Sequence, residues 1–352
     1  MPAARRAAGA MALLLVGSAA ALVVGEAAVR IYARAPLLPI VPPEPYVDNA
    51  VLYRKSPTRR YELRPGVDQT VDTARIRIRI NADGFRDDLD YAPAKPPGTF
   101  RIVVLGDSFT FAGKVPLDGT MPKRLEERLR DADPSRRYQV LNLAVPGYNT
   151  AQEAGALEEA GLRYQPDLVL VAFVLNDALP AGQLVPAAAR LPEWLRRPLK
   201  RSYLVQFLYD REKRLRSLLK KGSFKGASEV QDLAPGTEAF GRVTAALDRM
   251  RRACAASGAT LVVAIWPMFE RLDTYPFADR HALVAEACRE RQIPVLDLLP
   301  TFRGMDASTL WAARDDHHPN PEAQQRAADA IFRELRDRGL VPAAKALPST
   351  GS

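Results

Sequence analysis

Residues 167–175 read Asp-Leu-Val-Leu-Val-Ala-Phe-Val-Leu, and after the first of them nothing polar intervenes. A strand with one wet face would alternate, and this run does not. It fits a strand covered on both faces, at the centre of a parallel sheet. A parallel sheet needs crossover helices, and the flanking sequence supplies them. Short apolar runs at Arg101–Leu105, Tyr138–Val145, Ala259–Trp266 and Pro294–Leu298 alternate with helical patterns. The helices are expected at Thr120–Arg130, from Thr150 onward, at about Glu238–Ala256 and Ala278–Arg291, and after Asn320-Pro321. Thr150 with Glu153 reads as a capping box, and Asn320 with Pro321 as an N-cap followed by a first-turn proline. The expected fold is α/β: a three-layer α/β/α sandwich around a mostly parallel, flavodoxin-like five-stranded sheet.

Sites in such sheets lie beyond the carboxyl ends of the strands. That rule selects the segments after Leu105, Val145, Leu175 and Trp266. Three of them carry polar groups suited to acyl chemistry: Ser108 in Gly-Asp-Ser, Gly147 in Val-Pro-Gly-Tyr-Asn, and Asn176 in Leu-Asn-Asp. A glycine lets a backbone N–H approach a ligand closely, and an asparagine offers NH₂ donors. Each also has a plain structural reading, as a turn serine, a turn glycine and a strand-end cap. A serine nucleophile needs a base, and the chain has only three histidines. His281 falls inside an expected helix without an acidic motif. His317 and His318 fall in Arg314-Asp-Asp-His-His-Pro-Asn320, where Asp315 precedes His318 by three residues and Asp316 adjoins His317. A base needs a carboxylate that fixes its tautomer and stabilises the imidazolium. Asp107 and Asp177 read as holding loops or helix ends, and Tyr148, Trp266 and Phe269 as packing residues near a pocket.

Gly106-Asp-Ser108, Gly147, Asn176 and Asp315-Asp-His-His318, in this order and at these strand ends, resemble the four blocks of the SGNH, or GDSL, hydrolase superfamily over about residues 80–340. The resemblance implies Ser108 as nucleophile, with the Ser108 N–H, Gly147 N–H and Asn176 amide forming the oxyanion hole. It implies His318 as base and Asp315 as its orienting acid, Asp316 with His317 being the lesser assignment. No metal or organic cofactor is implied. Asn81-Ala-Asp-Gly-Phe-Arg86, the GDSFTFAG block and Tyr148-Asn-Thr further resemble bacterial SGNH proteins with an N-terminal membrane helix, a group associated with envelope or exopolysaccharide modification. Phe109 stands where the tetrad has Leu. The expected activity is hydrolysis of an acyl ester, acetyl foremost, on an envelope glycan, lipid or small molecule. An O-acyltransferase acting on an exopolysaccharide and a non-catalytic glycan-binding scaffold are the alternatives.

Charge bears on partners. The net +9 is carried by about residues 190–225, where Lys and Arg far outnumber Asp and Glu. One basic segment argues against a nucleic-acid-binding fold, which spreads its basic residues over a face or repeated motif. A membrane surface, an anionic polymer or a solvated insertion fits better. Within it, Leu204, Phe207 and Leu208 with Leu215, Leu218 and Leu219 suggest an amphipathic helix. At the N-terminus, Arg5-Arg6 precede an uncharged stretch from Ala7 to Val24, just long enough to span a bilayer. An uncleaved signal anchor with the catalytic domain on the periplasmic side is the expectation, and a cleaved signal peptide the alternative. The resulting division is an anchor at 1–35, a proline-rich linker and short β-containing extension at 36–98, the hydrolase domain at 99–342 with an insertion at about 180–234, and a tail at 343–352. Cys254 and Cys288 lack zinc-type companions at short spacing, and their pairing is left open.

Overall fold

A computed structural model describes residues 2–32, 52–71, 76–179, 202, 204–205, 207–208, 230, 233–313 and 316–343. The chain divides into two compact units, one made of Met1–Pro45 with Val185–Ser223 and the other of Tyr46–Leu184 with Phe224–Ser352.

The first unit contains α1 (Pro2–Tyr32). Its Glu26 accepts from Ser202 Oγ at 2.7 Å and Leu204 N at 2.9 Å, and pairs with Arg30 at 2.7 Å. The helix expected at the N-terminus is therefore present. Its role as a membrane anchor is not supported: among the described residues no helix is long and apolar enough to cross a membrane. Leu215, Leu218 and Leu219 of the expected amphipathic helix lie outside the described residues.

The second unit opens with two antiparallel pairs, β1 (Tyr53–Ser56) with β2 (Arg60–Leu63), and β3 (Asp68–Val71) with β4 (Ile76–Arg79). In β4 the side chains alternate between the two faces. Ile76 and Ile78 are buried, while Arg77 is exposed and pairs with Asp68 at 2.6 Å. There follow β5 (Thr99–Gly106), α2 (Ser108–Phe111), α3 (Met121–Ala132), β6 (Arg137–Asn142), α4 (Thr150–Ala156), β7 (Leu168–Phe173), α5 (Glu238–Ser257), β8 (Thr260–Ile265), α6 (Ala278–Glu290), β9 (Val295–Asp297), α7 (Leu299–Phe302), β10 (Trp311–Ala313), β11 (Asp316–Pro319) and α8 (Pro321–Asp337). The five strands β6-β5-β7-β8-β9 form one sheet, parallel throughout. β7, read above as the central strand, has no exposed residue.

The strand order decides where a site can form. The first connection, through α3, steps outward from β5 to β6. The next, through α4, returns past β5 to β7. Right-handed crossovers in opposite directions put their helices on opposite faces, which makes three layers. α3 packs with α8 on one face and α4 with α5 on the other. The direction reverses between β5 and β7, so their carboxyl ends diverge around a crevice. Ser108 follows β5 and Asn176 follows β7.

Two arginines are interior. Arg101, fully buried, gives its guanidinium to Gln139 Oε1 and to the carbonyls of Tyr164 and Pro93. Arg86, from the extension ahead of β5, donates to the carbonyls of Phe111, Ala112 and Val115, the last two at 2.6 Å. Burial pulls its pKa down to about 10, still far above neutrality, so the charge remains. Arg86→Met removes all these donors, leaving Ala112 O with the Val115 N bond and taking the guanidinium from the Phe111 and Val115 carbonyls. Urea unfolding of that variant is expected to show a loss of about 3 kcal/mol or more; an unchanged midpoint would mean that the loop relaxes to reach water.

Candidate active site

The nucleophile candidate is set by a strand stopped abruptly. A Cβ on Gly106 would lie 2.6 Å from Thr110 Oγ1 and 3.3 Å from Ala172 O, so only glycine lets the chain close into α2. Asp107 caps that helix, its Oδ1 accepting from Phe109 N at 2.8 Å. The far end is held from two directions. Asn142 Nδ2 donates to Thr110 O at 3.2 Å, and Gln324 Nε2 of α8 donates to Phe109 O at 2.8 Å. Ser108 stands at the first position of α2, partly exposed at the crevice.

Gly147 occupies the third position of Val145-Pro-Gly-Tyr148, with φ +77°. Tyr148 N donates to Val145 O at 3.0 Å. Proline followed by a left-handed glycine, closed by this bond, is the pattern of a type II turn. The bond uses the Tyr148 amide, not that of Gly147. Asn176 lies in a short 3₁₀ turn after β7, and its Nδ2 donates to Asp107 Oδ2 at 3.0 Å. That bond uses one of the two amide protons. The two loops are stitched together, Asn149 Nδ2 donating to Leu179 O at 2.8 Å and Thr150 Oγ1 to Asp177 O at 3.2 Å.

His318 arrives on the ribbon formed by β10 and β11. Its Nε2 lies 2.8 Å from Ser108 Oγ, and its Nδ1 lies 2.5 Å from Asp316 Oδ1. With the Nδ1 proton on Asp316, Nε2 is free to accept the serine proton. Ser108 Oγ also lies 3.3 Å from Asp107 Oδ2, a longer contact. Among the described residues the carboxylate on His318 is that of Asp316; Asp315, which the family resemblance implied, lies outside them. The reason is strand geometry. Side chains two apart on a strand share a face, so Asp316 and His318 point together and His317 points away. His317 stacks on Trp311 with ring centroids 3.8 Å apart and meets Glu270 Oε1 at 2.9 Å. His281 is a buried core residue between Tyr275 Oη and Asp297.

Asp316 Oδ2 also pairs with Lys114 Nζ at 2.9 Å. Burial by itself would raise the Asp316 carboxyl. The hydrogen bond and charge of His318, together with Lys114, outweigh it and hold the group below the usual carboxylate range. For His318, burial opposes the charged ring, but the hydrogen bond to Asp316, its charge and that of Asp107 raise the pKa above 6.5, against an opposing push from Lys114.

The sequence pattern missed the interior acids. The helix α4 is capped by Asn149, which exchanges side-chain bonds with Gln152, not by Thr150 with Glu153. That one-residue shift turns Glu153 inward, where it is 1% exposed and both carboxyl oxygens lack a partner. Burial and the charge of Asp107 push its pKa well up; burial and the charges of Glu153 and Asp107 do the same to Asp177, which accepts from Val174 N at 2.7 Å. The aromatics read as packing residues are that: Tyr148, Trp266 and Phe269 are each at most 1% exposed. Cys254 and Cys288 are free and buried. Among the described residues no group of three or more His, Cys, Asp or Glu is arranged to hold a metal ion.

A parallel sheet with a serine at its switch point, a histidine on that serine and a carboxylate on the histidine define a serine-type ester hydrolase. The chain belongs to the GDSL-like lipase/acylhydrolase family, which matches residues 104–326. It is a carboxylic ester hydrolase of the SGNH kind. No curated protein matches it. Among solved structures it is similar to the acetylxylan esterase Axe2 of Geobacillus stearothermophilus, at 14% identity and TM-score 0.46 over 70% of this chain and 97% of that one. It is similar to a G-D-S-L family protein of Desulfitobacterium hafniense DCB-2, at 13% identity and TM-score 0.41 over 67% and 99%. A third is TesA, at 16% identity and TM-score 0.43 over 67% and 98%.

Glu153 makes stability depend on pH. An acid that holds its proton more tightly in the folded state contributes stability fully below its unfolded value, near 4.5, and loses that contribution as the pH climbs through the folded value. Unfolding free energy, measured by urea at a series of pH values, should therefore decline as the pH rises above 4.5. Glu153→Gln should flatten this slope; superimposable profiles would show that the carboxyl stays neutral in both states or is solvated when folded.

Proposed function

We propose that the chain hydrolyses short-chain carboxylic esters through an acyl-enzyme on Ser108. His318 is the general base, Asp316 orients it, and the Ser108 N–H, Gly147 N–H and Asn176 Nδ2 are the oxyanion donors. The observation that carries the reading is the unbroken run of contacts from Ser108 Oγ to His318 Nε2 at 2.8 Å and from His318 Nδ1 to Asp316. Ser108 Oγ attacks the ester carbonyl as its proton passes to Nε2. The carbonyl π pair moves onto oxygen, where the three donors meet it. The C–O bond to the alcohol then breaks, and the imidazolium returns the proton to the leaving oxygen. Water repeats the sequence on the acyl-enzyme, delivering its proton to Nε2 and releasing the acid and Ser108.

The side chains around Ser108 favour a small acyl group such as acetyl. Phe109 meets Trp266, Phe269 and the edge of His318, with ring centroids 5.4–6.1 Å apart. Phe109, Trp266 and Phe269 are at most 6% exposed and pack on one another in the core. p-Nitrophenyl acetate should be turned over well ahead of the decanoate, and the reverse order would refute the short-acyl assignment.

Ser108→Ala is expected to lower kcat by about 10⁴-fold or more, with the fold retained by circular dichroism and fluorophosphonate labelling abolished. Full activity in that variant would remove Ser108 from the reaction.

The titration of His318 gives a second test. The neutral ring is the base, so kcat/KM should rise with pH through a midpoint above 6.5. Asp316→Asn removes the acceptor and the charge that raise this value. The midpoint should move to lower pH while kcat drops by about 10³- to 10⁴-fold. If the midpoint stays in place, a different carboxylate orients the ring.

A further inference from the structure

We propose that Lys114 is a positioning residue of this site. It fixes Asp316 in the rotamer that His318 requires, and it sets the pH at which His318 becomes a base. The inference rests on the serine-hydrolase reading above.

The two carboxylate oxygens of Asp316 have separate tasks. Oδ1 takes His318 Nδ1 and, at 3.2 Å, the His318 backbone N. Oδ2 takes Lys114 Nζ at 2.9 Å. A carboxylate bonded at one oxygen alone can swing about that bond. Bonded at both, it presents a fixed lone pair to the imidazole. Both partners are partly shielded, the side chains being 27% exposed for Lys114 and 14% for Asp316. A charge pair in that setting is screened much less than one in open water.

The backbone on either side shows which partner holds which. Asp316 is the first residue of a short ribbon strand, and its ladder partner is Ala313. Lys114 is anchored far more firmly. Helix α2 ends at Ala112 in the left-handed conformation, φ +54°, which turns the chain, and Val115 N then donates to Ala112 O at 2.9 Å. Arg86 grips the carbonyls of Phe111, Ala112 and Val115, on both sides of Lys114. A buried guanidinium thus holds one continuous segment, residues 107–115. That segment carries the serine at one end and, at the other, the cation that fixes the acid.

Lys114 also acts on the histidine through space. Among the described residues the charged groups facing His318 are Asp316 on its own strand and Asp107 and Lys114 on the segment that carries Ser108. From α2 the remaining neighbour is the uncharged edge of Phe109. The two carboxylates favour the imidazolium, and the ammonium opposes it. Lys114 therefore keeps His318 available as a base at lower pH than the carboxylates alone would allow.

The test uses the full chain with Lys114→Met, Lys114→Gln and Lys114→Arg, assayed on p-nitrophenyl acetate, with Ser108→Ala in parallel. Lys114→Met should reduce kcat by about 10- to 100-fold with KM little changed, as expected for a misplaced catalytic group. The acid-limb midpoint of kcat/KM should move to higher pH, which a merely structural defect would not cause. Lys114→Arg keeps the charge and should restore most of both. Lys114→Gln keeps an N–H donor without the charge, on a side chain one atom shorter, and should reproduce the midpoint shift, also serving if Lys114→Met does not fold. Wild-type kcat and midpoint in the folded neutral variants would overturn the proposal. If Ser108→Ala keeps its activity, the serine-hydrolase reading fails; if that variant is inactive while Lys114→Gln behaves as wild type, only the role of Lys114 falls.

Discussion

His318 and Ser108 are 210 positions apart in the chain and 2.8 Å apart in space. A hydrogen bond of that length tolerates little error in either partner. One partner is fixed from beneath, where β5 ends against β7 and Gly106 lets α2 close. The other comes in on the β10–β11 ribbon, tied back by Asn320 N to Leu310 O at 2.9 Å. Helix α8 joins the two supports. Gln324 accepts from Met121 N at 2.7 Å and donates to Phe109 O at 2.8 Å. The element that follows the histidine thereby grips the helix that carries the serine. Asn320 starts α8 by accepting from Ala323 N at 3.0 Å, as the Asn-Pro pair predicted.

The architecture was legible because it is written in periodicity. An apolar run without alternation meant a strand covered twice, and crossovers of fixed hand then put helices on both faces of the sheet. The Gly147 turn was legible because Pro-Gly encodes its dihedral angles. The partner of His318 was not, for a reason equally local. Asp315-Asp316-His317-His318 looks like a loop before a helix, and in a loop four residues carry no facing information. Once residues 316–319 pair as a strand, the period of two selects Asp316 for His318 and sends His317 toward Glu270 and Trp311. Glu153 was misplaced by a similar margin. Thr150 was read as the cap; with Asn149 in that place, Glu153 is buried.

Beneath the crevice the distribution of donors, not of carboxyl groups, organises the electrostatics. Asp107, Glu153 and Asp177 are all buried and act on one another. Donors converge on Asp107 from Phe109 N and Asn176 Nδ2. Asp177 receives Val174 N, and Glu153 receives nothing. A carboxylate without donors in such a place is costly, so the proton settles there. Helix caps and turns, usually described as local stabilisers, are here what supplies donors to Asp107 and Asp177.

The segment before the sheet belongs to the same mechanical system. Tyr148 Oη donates to Tyr61 O at 2.6 Å, Tyr61 Oη to Pro146 O at 3.0 Å, and Gln152 Nε2 to Arg59 O at 2.8 Å. These bonds fasten β2 to the turn that carries Gly147. Arg86, a little further on, fastens the loop that follows Ser108. Bracing from a second layer restricts the Gly147 amide, proposed above as an oxyanion donor. The extension thus reaches both the turn and the loop flanking the crevice.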